Sequence, residues 1–530
     1  AERAGAGISA ARLAEHLRVL ASDEFEGRAP ATAGEDRTVA YISAQFAAAG
    51  LQPAGEAGGW TQDVTLERTE ISGPVAAAFT LGGTPWTLRN GEDIALETLH
   101  PAGRVDLRDV PLVFAGFGIT APELDWDDYA GLDVRGKVVV VLVNDPDFGT
   151  APGRFGGEAM TWYGRWAYKY IEAARRGAAG VLIVHETAPA AYPWATVRSG
   201  RMAPQFDIVR EDAASWHLPV RGWIQRATAE RLFAEAGLSF DAAKREAQQP
   251  GFRARALDGA TFSAAFDVAR SRITSRNVLG LLPGADRADD TVIVSGHWDG
   301  FGVGEPDASG DAIMNGAVDN ATAIASMIEI ARVMAEGPAP ARSVLFLALT
   351  AEESGLLGAT YYAAHPLRPL ATTAAVVNME MWSPDGPTRD ISSWGLGKVS
   401  LERDLAAAAT ALARTYSTDP DLAAGLFYRA DHFAFAQAGV PAITVGPGMD
   451  QLDGGVEGGR AARAAYFENH YHQPGDEFGD WWDMRGPTAD TEVVLELVRR
   501  LANSGEWPAW DRDSEFRAVR EASAAARDGR

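Results

Sequence analysis

Four short runs, Thr291–Ser295, Ser343–Leu349, Ala374–Asn378 and Ala442–Val445, are apolar almost without interruption. Helix-compatible segments at about 320–336, 354–364, 400–415 and 431–438 lie between or beside them. A strand that is apolar on both faces must be covered on both faces. The pattern therefore predicts an α/β fold, a mostly parallel mixed sheet sandwiched by helices in three layers. In such sheets chemistry gathers outside the carboxyl ends of the strands.

The polar residues that break these runs stand at that edge. Val294-Ser-Gly-His-Trp-Asp-Gly300 puts His297 at the end of one strand, with Asp299 two residues on as a partner able to orient the imidazole. Asn315-Gly-Ala-Val-Asp-Asn320 puts Asp319 at the start of a helix whose buried stripe is Ile324, Met327, Ile328, Ala331 and Met334. An Asp there can cap the helix, bridge two cations, or do both. Glu352 and Glu353 follow the strand ending at Leu349, and Glu380 ends another. Buried carboxylates are costly unless something cationic compensates. One of the adjacent glutamates can bind a cation while the other takes a proton from water. In Asn469-His-Tyr-His-Gln-Pro474, His470 and His472 compete for one ligand role. The set suffices for two divalent metals with a glutamate to spare.

With 530 residues the chain exceeds what one core usually serves. Two helices, over 9–20 with Ser9 as N-cap and over 36–49, open it. From about 75 to 255, β-rich runs such as Val110–Phe114, Lys137–Val143 and Gly180–Val184 alternate with turns and with helices near 162–176 and 227–237. That stretch shows no convergent polar cluster. The expected organisation is a first catalytic part at 1–74, a β-rich insert at 75–255, the main catalytic part at 256–503 and a polar tail at 504–530. A net charge of −24 argues against nucleic acid or anionic membranes as partners. The absence of cysteine excludes disulfides, thiolate metal sites and cysteine nucleophiles. No H-E-x-x-H, G-x-S-x-G, P-loop or G-x-G-x-x-G motif occurs, so serine-hydrolase and nucleotide chemistry have no support.

His297-Trp-Asp299, Gly316-Ala-Val-Asp-Asn320, Glu352-Glu-Ser-Gly355, Asn378-Met-Glu380 and Tyr471-His-Gln-Pro-Gly-Asp476 together resemble the five metal motifs of the MH-clan zinc exopeptidases. The chain is most similar to the aminopeptidase Y type, a group that includes bacterial leucine aminopeptidases and glutamate carboxypeptidase II. Arg429-Ala-Asp-His432 with Gly439-Val-Pro441, and Leu20-Ala-Ser-Asp-Glu-Phe-Glu-Gly-Arg28, add to the resemblance. It covers 260–500 closely and 8–66 less so, while the insert resembles a protease-associated domain.

The resemblance implies two zinc ions, although cobalt or manganese would suit similar ligands. Asp319 would bridge them, His297 and Glu380 completing one site and Glu353 and His472 the other. Glu352 is then general base, and Tyr471 steadies the tetrahedral oxyanion. Position 380 departs from the family's aminopeptidases, which usually carry Asp there. The expected activity is removal of N-terminal residues from peptide substrates by an exported, periplasmic or secreted enzyme. The insert would cap the site, limit substrate length or form a homodimer. The alternatives are a carboxypeptidase or dipeptidase using Arg429, an acyl transferase resembling glutaminyl cyclase, and a non-catalytic receptor-like homologue.

Overall fold

The computed structural model describes residues 7–528 apart from 151–152, 305, 308, 396–397 and 420. The chain divides into two compact units, one of residues 1–65, 274–420 and 429–530, the other of 66–273 and 421–428. The second unit is wider than the 75–255 read from the sequence and has a short return at 421–428 that no sequence signal announces. The described tail residues, 504–528, belong to the first unit. They dock through Trp510, which donates to the Gly439 carbonyl, and Arg520, which donates to the Thr373 carbonyl.

In the first unit the four expected strands form the parallel centre of a sheet. Its order is Thr415–Ser417, Asp390–Ser393, Ala442–Pro447, Thr373–Met379, Arg287–His297 and Arg342–Leu349. Residues 278–282, at the end of a long strand, pair antiparallel with Arg342–Leu349. Leu345, Phe346, Leu347 and Leu349 are fully buried, each contributing roughly 1.5–3 kcal/mol. Their tight packing fixes where the strand ends, and so where the polar residues beyond them stand.

Helices cover both faces, as the apolar runs require. Ala10–Leu20 is capped by Ser9, and Ala33–Ala48 starts earlier than expected because the Thr32 hydroxyl accepts from Glu35 N–H. Thr322–Ala335 buries the expected stripe and also Ala323, Ala325, Ser326, Ile330 and Val333, so it is a central helix apolar nearly all round. Leu357–Ala364, Leu401–Ala411 and His432–Gln437 fall where helices were expected, and Gly455–Asn469 and Arg485–Asn503 are further helices of this unit. Among the described residues, no helix is long and apolar enough to cross a membrane.

The second unit is α/β as well, its β-rich runs alternating with helices as expected. Arg104–Phe114, Val138–Leu142, Gly180–His185 and Val220–Gln225 run parallel, with antiparallel neighbours at Ile94–Glu97 and at 255–267. Trp166–Arg175 and Arg226–Glu235 pack as helices, close to where they were expected. The absence of a polar cluster is overturned here. Lys169 is fully buried within this unit, with Asp128 and Asp145 as its charged neighbours. Nothing in the sequence joins these three residues, because they lie on separate segments and in no shared motif.

Candidate metal centre

Register brings the polar residues together. His297 pairs with Leu349 and Ser295 with Asn378 across parallel strands, so these three strands stop at one level. Beyond it lie His297, the Glu352–Glu353 pair and Glu380. Asp319 comes from the turn at 317–321 that leads into Thr322–Ala335, and His472 from the loop after Gly455–Asn469.

Asp319 sits between the two imidazoles. Its Oδ1 lies 3.3 Å from His297 Nε2 and its Oδ2 lies 3.3 Å from His472 Nε2. Glu380 Oε2 is 3.4 Å from His297 Nε2, and Glu353 Oε2 is 3.4 Å from His472 Nε2. Asp319 is thus the shared corner of two cages, with Glu380 on the His297 side and Glu353 on the His472 side. Among the described residues, the triads whose ligand atoms all lie within 4.8 Å of one another are His297, Asp319 and Glu353, and His297, Glu352 and Glu380. Ligands bound at roughly 2.0–2.1 Å in a tetrahedron stand roughly 3.3–3.4 Å apart, so the His–carboxylate spacings suit a small divalent cation. Glu352 Oε2, at 3.8 Å from His297 Nε2, stands beside the first cage.

The polar bookkeeping also asks for cations. A single imidazole nitrogen at His297 faces Asp319, Glu352 and Glu380, and could donate at most one proton. Glu353 Oε1 and both oxygens of Asp431 are buried with no hydrogen-bond partner. Burying carboxylates costs several kcal/mol per ion unless the charge is matched. Burial pushes Glu352, Glu353 and Glu380 well up or up from the usual carboxylate range. Burial pushes Asp319 up too, but the two imidazoles outweigh it and hold it low. For His297, burial lowers the pKa and Glu352 and Glu380 raise it more. A positive ion among the carboxylates opposes the upward shifts of Glu352, Glu353, Glu380 and His297, while Asp319 is held low already.

The supporting hydrogen bonds aim the ligands. His297 Nδ1 donates to the Asp299 carbonyl at 3.1 Å, which leaves the Nε2 lone pair for a cation. The sequence reading gave this orienting task to Asp299, and its backbone carries it out. The Asp299 carboxylate, 3.6 Å from the ring, instead accepts from the backbone N–H groups of Glu352 and Glu353. Asn378 and Asn320 donate to the two oxygens of Glu380 at 3.0 and 2.6 Å. Asp476 accepts from Val318 and Asp319 N–H. These supports were hidden in the sequence, although Asn320, Asn378 and Asp476 all lie inside the quoted motifs.

His472 is 33% exposed, and its ring is held between Tyr471, at 3.6 Å centroid distance, and Phe301, at 4.3 Å. His470 turns its Nδ1 to the Gly475 carbonyl instead. Tyr471 therefore lies against a candidate ligand. Burial first, then the Asp319 charge, push its hydroxyl well above the ordinary phenol range. Arg429 is exposed.

Residues 277–503 match the model of peptidase family M28. A "Probable zinc metalloprotease" of Pyrenophora teres f. teres (strain 0-1) is 35% identical over 104 residues, 20% of this chain and 22% of that protein. Another with the same description, from Phaeosphaeria nodorum, is 23% identical over 269 residues, 43% of this chain and 52% of that one. The chain thus spans between about a fifth and a half of the length of these curated relatives. An aminopeptidase from Aneurinibacillus sp. strain AM-1 shares the fold over 94% of this chain and 95% of its own, with a TM-score of 0.51 at 20% identity. The α/β fold class is thereby borne out, and the expectation of a zinc-dependent peptidase is supported.

Proposed function

Taking the match of 277–503 to peptidase family M28 as premise, we propose that the chain is a two-zinc exopeptidase that removes N-terminal residues from peptides. The observation that carries this reading is the division of Asp319, one oxygen toward His297 and one toward His472. His297, Asp319 and Glu380 would hold one ion, and Asp319, Glu353 and His472 the other. Glu380 fits this role with its longer side chain, since Asn320 and Asn378 fix both its oxygens. Bound zinc supplies a Lewis acid that polarises a carbonyl and makes water acidic near roughly pH 7.

The chain's own groups do the rest. Glu352, largely shielded from water and raised in pKa, accepts the proton of the attacking water and delivers it to the departing amine. The Tyr471 hydroxyl stays protonated and donates a hydrogen bond to the developing oxyanion. Glu352→Gln keeps the shape of the site and removes the base. It is expected to bind zinc as the wild type does and to lose roughly 10²–10⁴-fold in kcat. Full turnover by that variant would end the assignment.

A carboxypeptidase reading rests on Arg429, exposed and near enough for its charge to act on Tyr471. Comparing free with N-blocked peptides separates the two, and faster cleavage of blocked peptides favours the second.

A further inference from the structure

Arg28 is 1% exposed and lies in the first unit, far in sequence from every residue assigned above. Its guanidinium donates to four carbonyls. Nε bonds Trp298 at 2.8 Å, Nη1 bonds Leu20 at 2.7 Å and Asn315 at 2.6 Å, and Nη2 bonds Gly316 at 2.8 Å. Trp298 directly follows His297, and Asn315 and Gly316 lead into Asp319. One planar group thus ties the two loops that supply the shared site to the end of the first helix. None of these four partners is a carboxylate, so the charge is not used up in an ion pair. Asp476, Asp299, Asp319 and Glu353 are the acids that feel it.

The backbone around Arg28 is strained toward this purpose. Glu26, Gly27 and Arg28 all have positive φ, at 49°, 62° and 55°. For the two non-glycine residues this costs roughly 1–2 kcal/mol each. A Cβ on Gly27 would stand 2.5 Å from the Met314 carbonyl and 2.6 Å from that of Gly302, so the turn is pressed onto the loops that frame Asp319. Asp23 adds a second tie, accepting from Asn315 Nδ2 at 2.9 Å. Strain held in place by surrounding contacts marks a segment whose position matters.

We propose that Arg28 is a positioning residue that keeps the His297 and Asp319 loops at cation-binding separation, strapping them to the N-terminal segment. The role rests on reading the site as a zinc centre. It requires arginine, because a fork can reach carbonyls in three directions at once, whereas an ammonium is a point donor on a flexible stem.

The test compares the wild-type chain with R28K, D23A and R342K, measuring zinc affinity by competition with a chromogenic chelator and thermal midpoints after chelation. Arg342 is another fully buried arginine of the same unit, donating to the carbonyls of Leu501 and Glu506 with Asp290 Oδ2 3.9 Å from its Nε. R28K is expected to lose roughly 10–100-fold in zinc affinity, the usual cost of losing a supporting partner behind the ligands. D23A, at an exposed position that spares the core, is expected to lose severalfold. R342K should lower the midpoint and leave zinc affinity unchanged. Wild-type zinc affinity in R28K overturns the role, as does an equal loss in R342K; if R28K does not fold, unchanged affinity in D23A overturns it. A wild-type chain that binds no zinc would bring down the zinc-centre reading itself.

Discussion

In the second unit Lys169 is buried with two aspartates for company, and every one of these groups is satisfied by neutral partners. Lys169 donates to the Asn144 and Tyr163 carbonyls. Asp128 accepts from Phe117 and Ile119 N–H and from the Trp126 indole, and Asp145 from Asp147 N–H and from Thr161 N–H and hydroxyl. In the first unit the carboxylates outnumber their donors, and Glu353 and Asp431 keep buried oxygens with no partner at all. Burial is complete for Lys169, Asp128 and Asp145, while Glu352 and Glu353 keep about a tenth of their side chains exposed. What separates a structural cluster from a site awaiting a ligand is therefore the satisfaction of each oxygen, because a closed network only rigidifies while an open one has affinity to offer.

Three substitutions press on that contrast. The largest effect is expected from Asp319→Asn, since an amide nitrogen has no lone pair to give and one of the two cages loses its shared corner. Zinc stoichiometry should fall by at least one ion and affinity by more than ~100-fold, beyond what supporting partners cost; elemental analysis after dialysis reads this. Lys169→Met comes next. It orphans two carbonyls at about 1–3 kcal/mol each, and should lower the denaturation midpoint with zinc content and turnover unchanged. Loss of zinc in that variant would erase the distinction between the clusters.

The smallest effect concerns His432, buried in the first unit with its Nδ1 2.6 Å from the Thr444 hydroxyl. Burial pushes its pKa down to about 3, from an ordinary value of 6.5. Below 6.5 the unfolded chain binds a proton that the native state refuses, so stability falls as pH drops from 6.5 toward 3. Between pH 7 and pH 5 this amounts to at most about 2 kcal/mol, at 1.36 kcal/mol per pH unit. His432→Asn should flatten the wild-type slope by that amount in urea melts at the two pH values. An unchanged slope would mean that the ring is protonated inside the fold.

The strands were legible because each is apolar on both faces, a pattern with one structural solution, and their ends located His297, Glu352, Glu353 and Glu380 at one edge. The preference for His472 over His470 rested only on the resemblance; the contacts that seat its ring, stacked on Tyr471 and tilted against Phe301, involve a residue 171 positions away. The helix Gly455–Asn469 went unread, since Gly455, Gly458 and Gly459 look like breakers and only Gly459 in it is buried. Lys169 was equally opaque, because a lysine on an amphipathic helix reads as solvent-facing until its carbonyl partners, brought from elsewhere, are seen.

Phe301, 41% exposed and against His472, stands outside the packed strand ends, and Val303 near it lies exposed on a two-residue strand. Most of the side chains that would hold ions stand at the packed strand ends, while His472 and the surfaces that would meet a substrate sit on exposed segments. Such a division lets substrate preference drift, in evolution or in the laboratory, by exchanging rim residues while the inner scaffold is left alone.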